Sequence, residues 1–210
     1  MPRCSLFVCR SAALRRRASR PQLKRDPLGS MPSSHNRDPK QREAFRLAND
    51  LMTDLLTGGS AYVVFQTLFQ RNADAVPDHV RTAATRLCLF HAVITLSKWV
   101  ELYDRYKGVI PANVKEIAKQ LRGEIYNRGI MAFRNKVVGH IWDDDQHRAL
   151  TNAEVEERVS ALAGSNVAAF LRWAAEPQSA TNTTSPVAII ERVRDSIRDS
   201  YGLTDEDLTR

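Results

Sequence analysis

Apolar residues recur along this chain at spacings of three and four, the period of one face of an α-helix. The clearest stretch opens at Pro77-Asp78. Leu89, Val93, Leu96, Val100 and Tyr103 follow one another at four, three, four and three, which predicts a long helix with a core-facing stripe that ends near Gly108. Pro111 opens another long segment, with Val114, Ile117, Leu121 and Ile125 on one face. The pattern continues less cleanly through Phe133 and Val137, and Gly129 either breaks it or permits a close helix contact.

Before these, Asp38-Pro39 reads as an N-cap followed by proline at the first helical position. That predicts a first helix to about Leu56, interrupted by Gly58-Gly59-Ser60, and a separate helix from Ala61 to Gln70. After them, Thr151-Asn152-Ala153-Glu154 is a capping box. Gly164-Ser165-Asn166 divides its helix from a segment at 167–175, and 178–185 is a polar linker. Ser185-Pro186 opens a last helix bearing Ile190, Val193, Ile197 and Tyr201. No internal repeat is visible. The sum predicts an all-α, up-and-down antiparallel helical bundle over 38–210.

Composition sharpens the ends of this picture. The formal charge is +7, which by itself suggests nucleic-acid binding. Residues 1–30 hold eight basic residues against Asp26 alone, so the remaining 180 residues are neutral overall and any RNA site there must be a local patch. Residues 1–37, rich in Arg, Ser and Pro with no apolar period, read as a disordered basic tail. Such a tail fits a transit peptide, an arm for RNA phosphates, or a start-site artefact with translation beginning at Met31; the abrupt change of composition favours the last.

Three cysteines, two of them in the tail, suggest neither a disulfide framework nor a zinc site, and Cys88 reads as a buried hydrophobe. The most apolar run, Leu87 to Val100, is interrupted by His91 and Lys98 and is too short to span a bilayer. The expected location is the cytoplasm.

The candidate chemistry lies at Phe133-Arg134-Asn135-Lys136-Val137-Val138-Gly139-His140. A histidine moves protons near neutral pH, and an arginine holds a phosphate in a planar fork. Together they suffice to cut RNA without a metal. A bare Arg–His spacing is common, and Arg86-Leu-Cys-Leu-Phe-His91 also fits it. Context separates the two, because His91 sits in an apolar run whereas His140 follows Gly139 at an expected helix end.

The segment from Arg134 to His140 resembles the signature of the HEPN superfamily (higher eukaryotes and prokaryotes nucleotide-binding), and its flavour is similar to the AbiU-type abortive-infection branch. The family signature is an arginine, a polar residue and then a histidine after a short gap, which map here to Arg134, Asn135 and His140. The resemblance implies a small helical domain over about residues 40–175, metal-independent RNA cleavage, and a homodimer whose two motifs face one groove. It also implies a role as a toxin or phage-defence nuclease, with RNA, transfer RNA among the candidates, as substrate and an antitoxin protein as partner. No cofactor and no metal are expected.

The helical geometry agrees with the need for a dimer. Arg134 and His140 lie six positions apart, about 120° around a straight helix, and do not converge on one phosphate within it unless the helix unwinds near Gly139. In the expected reaction His140 takes the proton of a ribose 2′-OH or protonates the leaving 5′-oxygen, Arg134 stabilises the phosphorus centre, and Asn135 orients the histidine or holds the backbone.

Some catalytic relatives carry a tyrosine two positions after the histidine. Here Trp142 stands there, which speaks against nucleotide modification at that position but leaves base stacking or packing open. His91, Lys98, Glu101 and Arg105 form a polar strip on the helix from Pro77, read as a salt-bridged surface or, alternatively, as a groove wall with Lys98 on phosphate. Asp143-Asp144-Asp145 beside His147 reads as a solvated loop rather than a cation site. Two rival readings stand beside the nuclease: a non-catalytic HEPN-like dimerisation or nucleotide-binding module, and an unrelated helical adaptor in which the motif is chance.

Overall fold

The computed structural model describes residues 38–72, 74–138, 142–143, 147–164, 166–177, 179 and 182–209. Its first helix, α1 (Pro39–Arg71), begins where Asp38 caps the Lys40 N–H and Pro39 presets the helical φ. It does not stop at the glycines. It runs for 33 residues through Gly58-Gly59, about 50 Å, because both glycines lie where other helices press on it. A Cβ at Gly58 would meet His91 Cδ2 at 2.6 Å, and one at Gly59 would meet the Cβ of Ala175 at 2.5 Å. The pair therefore permits close packing rather than marking a break.

Helix α2 (Asp78–Tyr106) folds back on α1. His91 reaches Asp54, Lys98 reaches Asp54, and Arg105 reaches Glu43, so the register descends one helix as it ascends the other and the two run antiparallel. The predicted stripe Leu89, Val93, Leu96, Val100 and Tyr103 is buried throughout, together with Trp99. Helix α3 (Ala112–Asn127) follows Pro111 and ends at Gly129, whose φ of +72° is left-handed and open to glycine at no steric cost.

The segment after Gly129 is a short α4 (Ile130–Phe133) that widens into a π-helical turn, Arg134–Val138. A two-residue antiparallel ladder follows, β1 (Trp142–Asp143) with β2 (Arg148–Ala149). Then come α5 (Asn152–Ala163), α6 (Val167–Ala175), α7 (Pro186–Tyr201) and a 3₁₀ turn at Asp205–Leu208. The described residues form an all-α helical bundle apart from that ladder.

The last helix does not sit at the bundle's end, as a plain up-and-down order predicts. It packs against α1 and α3. Ile190, Val193 and Ile197 are fully buried there, and the Tyr201 hydroxyl donates to the Val109 carbonyl at 2.9 Å. The polar linker before it is anchored. The Asn182 side chain donates to the Glu176 and Pro177 carbonyls, and the Ser185 hydroxyl donates to Glu176 at 2.6 Å.

Cys88 is a buried free thiol, and burial pushes its pKa up. Among the described residues no helix is long and apolar enough to cross a membrane.

Candidate functional site

Arg134 opens the π turn and projects to α2. Its guanidinium lies 3.4 Å from the Glu101 carboxylate and donates to Asn135 Oδ1 at 3.3 Å. Both contacts are long, and the Arg134 and Glu101 side chains are 40% and 59% exposed. Ion pairs this exposed contribute little stability and yield readily to a better anion. Wide π turns often mark functional positions, because the extra residue redirects the side chains around it. No sequence signal announced this one. Asn135 lies beside Arg134 as expected, with its side-chain oxygen taken by the guanidinium. His140 and the Trp142 side chain lie outside the described residues, as do Asp144 and Asp145.

Glu101 joins Arg134 to the polar strip foreseen on α2. The strip's members do not pair with one another, because residues at that spacing can be drawn instead to acids on the facing helix. Lys98 lies 4.0 Å from Asp54, and Arg105 lies 3.9 Å from Glu43. Asp50, Asp54, Lys98, Glu101, Arg105 and Tyr106 line an open groove of about 570 Å³ between α1 and α2. Lys98 is thus a groove residue, held by α1 rather than by its own helix.

That face has two halves. Asp50 and Asp54 lie in the same helical row of α1 as Val64 and Leu68, and Lys98, Glu101 and Arg105 lie in the same row of α2 as Val80, Leu87 and Ile94. Towards the α1–α2 turn the groove therefore gives way to an apolar stripe. Leu87 is 67% exposed, Val64 54% and Leu68 48%. Six of the seven large exposed apolar side chains of the described residues belong to this pair of helices. Clustered exposure of this kind marks an interaction surface.

The second Arg–His pair is dismantled by the fold. The Arg86 guanidinium pairs with Glu156 of α5. His91 Nε2 donates to the Asp54 carbonyl at 2.8 Å, which fixes its proton and leaves that nitrogen no basic lone pair.

Downstream of the motif, the backbone is fastened by a clamp that was only half legible. Thr151 and Glu154 form the expected capping box. Arg148 of β2 adds two charge-assisted bonds to the same carboxylate, at 2.9 and 2.5 Å. The Arg148 guanidinium, and then the Thr151 N–H and hydroxyl, hold the Glu154 pKa down to about 2. Between the two strands His147 adopts a φ of +50°, a left-handed conformation uncommon outside glycine. Among the described residues no three His, Cys, Asp or Glu side chains assemble as a metal site.

No known family profile matches the chain, and no curated protein matches it. Among solved structures the chain is similar to the integron cassette protein Vpc_cass2 from the mobile metagenome of V. paracholerae, at 27% identity and a TM-score of 0.61, over 80% of this chain and 99% of that one.

Proposed function

We propose that the protein is a metal-independent endoribonuclease of the HEPN type, acting as a homodimer in the cytoplasm as a toxin or phage-defence effector. The observation that carries this reading is Arg134: a guanidinium on a π turn, beside Glu101 of an open groove, held among the described residues by two long contacts. A phosphate offers such a group shorter and stronger bonds than Glu101 does. The rival pair, Arg86 and His91, is consumed by structural contacts.

In this mechanism His140 takes the proton of a ribose 2′-OH. The 2′-oxygen forms a bond to phosphorus as the bond to the 5′-oxygen breaks, and a histidine returns a proton to that leaving oxygen. Arg134 stabilises the charge gathering on the phosphoryl oxygens. RNA supplies its own nucleophile through the 2′-OH. The apolar stripe Val64, Leu68, Val80, Leu87 and Ile94, which continues along the same two helices as the groove, is the surface on which two copies would meet to bring both motifs to one cleft. An antitoxin protein would act by covering the same face.

The test is product chemistry. Purified protein in EDTA should release fragments ending in a 2′,3′-cyclic phosphate from transfer or total RNA, and His140→Ala should abolish them. Fragments with 3′-hydroxyl ends, or cleavage that survives the substitution, would overturn the mechanism.

One observation favours a second reading, a non-catalytic HEPN-like dimerisation or nucleotide-binding module. Glu101 already occupies Arg134, as a purely structural ion pair would. Folded wild-type protein that forms dimers but cuts no RNA would decide for it.

A further inference from the structure

A cavity of about 480 Å³ opens between α1 and α6 and shares no residue with the groove beside Glu101. Gly59 lets the two helices approach there, since any larger side chain would run into Ala175. The lining is mostly aliphatic, with Leu56 and Val63 from α1 and Ala168 and Leu171 from α6. Val63 is 62% exposed and lies outside the stripe on which two copies would meet.

Four polar groups join this aliphatic lining. Ser60 and Tyr62 bring hydroxyls from α1, Arg172 brings a guanidinium from α6, and Glu176 brings a carboxylate one turn further on. Among the described residues these four side chains form no hydrogen bond and no ion pair. Arg172 and Glu176 do not pair even with each other. They stand four apart, but with the cation first, which is the weaker order for such a pair on a helix. Burial pushes the Tyr62 phenol up, and the Arg172 charge draws it partly back. The hydroxyl therefore stays protonated at neutral pH and can donate.

The cavity thus offers one positive and one negative group over an apolar surface. A simple anion would also face Glu176, and a simple cation would also face Arg172. A small zwitterion with an apolar body suits both. Its carboxylate takes the guanidinium and the two hydroxyls, its ammonium takes Glu176, and its side chain covers Val63 and Leu171.

We infer that this cavity binds a hydrophobic α-amino acid. The inference stands independently of the nuclease reading, since it uses neither Arg134 nor His140.

Calorimetric titration of the full chain with L-phenylalanine tests it, beside phenylpropionate, which lacks the amine, and phenethylamine, which lacks the carboxylate. Phenylalanine should bind about tenfold or more tightly than either analogue, the effect of one charged hydrogen bond gained. Arg172→Gln and Glu176→Gln should each weaken phenylalanine binding by a similar factor. Both positions are exposed, so both variants should fold, and circular dichroism would confirm that. Arg134→Gln should leave the affinity unchanged. The assignment is wrong if phenylalanine does not bind at millimolar concentration, if either analogue binds as tightly, or if either of the two cavity variants keeps wild-type affinity.

Discussion

Arg86 with His91 and Arg134 with His140 satisfy the same loose sequence pattern, yet the fold treats their arginines in opposite ways. Arg86 is committed to Glu156, and its histidine is committed to the Asp54 carbonyl. Among the described residues Arg134 keeps long contacts to Glu101 and Asn135, beside the groove that Glu101 lines. The difference comes from the surroundings. The first pair lies mid-helix, where α1 packs against α2 and Glu156 of α5 reaches Arg86; the second follows a helix that has already been broken at Gly129 and widened. Binding an anion requires a guanidinium that is held yet open to it: the Arg134 side chain is 40% exposed beside Glu101, whereas Arg86 is less exposed and its unbonded Nε is buried.

The largest effect that sharpens this contrast is in catalysis. Arg134→Ala should lower RNA cleavage by about a hundredfold or more, the scale of losing one stabiliser of transition-state charge. Arg86→Ala should change it less than about twofold once folding is matched. Similar losses in both variants would erase the distinction.

Next is association. Leu87→Glu places a charge in the middle of the exposed apolar stripe without touching the core. It should weaken dimerisation by about tenfold or more in analytical ultracentrifugation, and reduce cleavage with it. An unchanged oligomeric state would move the dimer surface elsewhere.

A smaller effect repeats the lesson with glycine, where one residue type again has two fates. Gly59→Ala should cost about 1–3 kcal/mol in denaturant unfolding, because its Cβ has Ala175 in the way. Gly123→Ala, mid-helix in α3 with open space around it, should instead stabilise by up to about 1 kcal/mol.

The smallest effect concerns acid. The folded-state pKa of Glu154, about 2, lies below its ordinary value of 4.5. A depressed carboxyl stabilises the fold fully above its ordinary value, and that contribution disappears as pH falls from about 4.5 toward 2. Glu154→Gln should therefore lower the melting temperature at pH 6–7 and narrow its difference from wild type near pH 2. A difference that stays constant with pH would mean the clamp is not electrostatic.

Much of the fold was legible in the pattern. The α2 stripe, the capping box at Thr151, the helix start at Ser185 and the break at Gly164 follow from local periodicity and turn chemistry, whereas at Gly129 the pattern allows either a break or a close contact and the fold makes it a break. Gly58-Gly59 was misread because a glycine pair signals a break and a close contact with the same letters, and only the partner helices decide between them. The burial of α7 between α1 and α3 is a tertiary fact with no local sign.

At the site, Arg134 and Asn135 were visible as letters. The π turn, the Glu101 partner and the groove were not, since each depends on where α2 lies relative to the motif. The ion partners of Lys98 and Arg105 were misplaced for the same reason: helical spacing shows which residues share a face, but not which helix opposes it.

The most direct measurement compares the two histidines. His140→Ala and His91→Ala would be assayed side by side with wild type for cleavage of transfer RNA in EDTA, each confirmed folded. The account predicts that cleavage is lost in the first variant and kept in the second. Cleavage kept in His140→Ala, or lost equally in both, would contradict it.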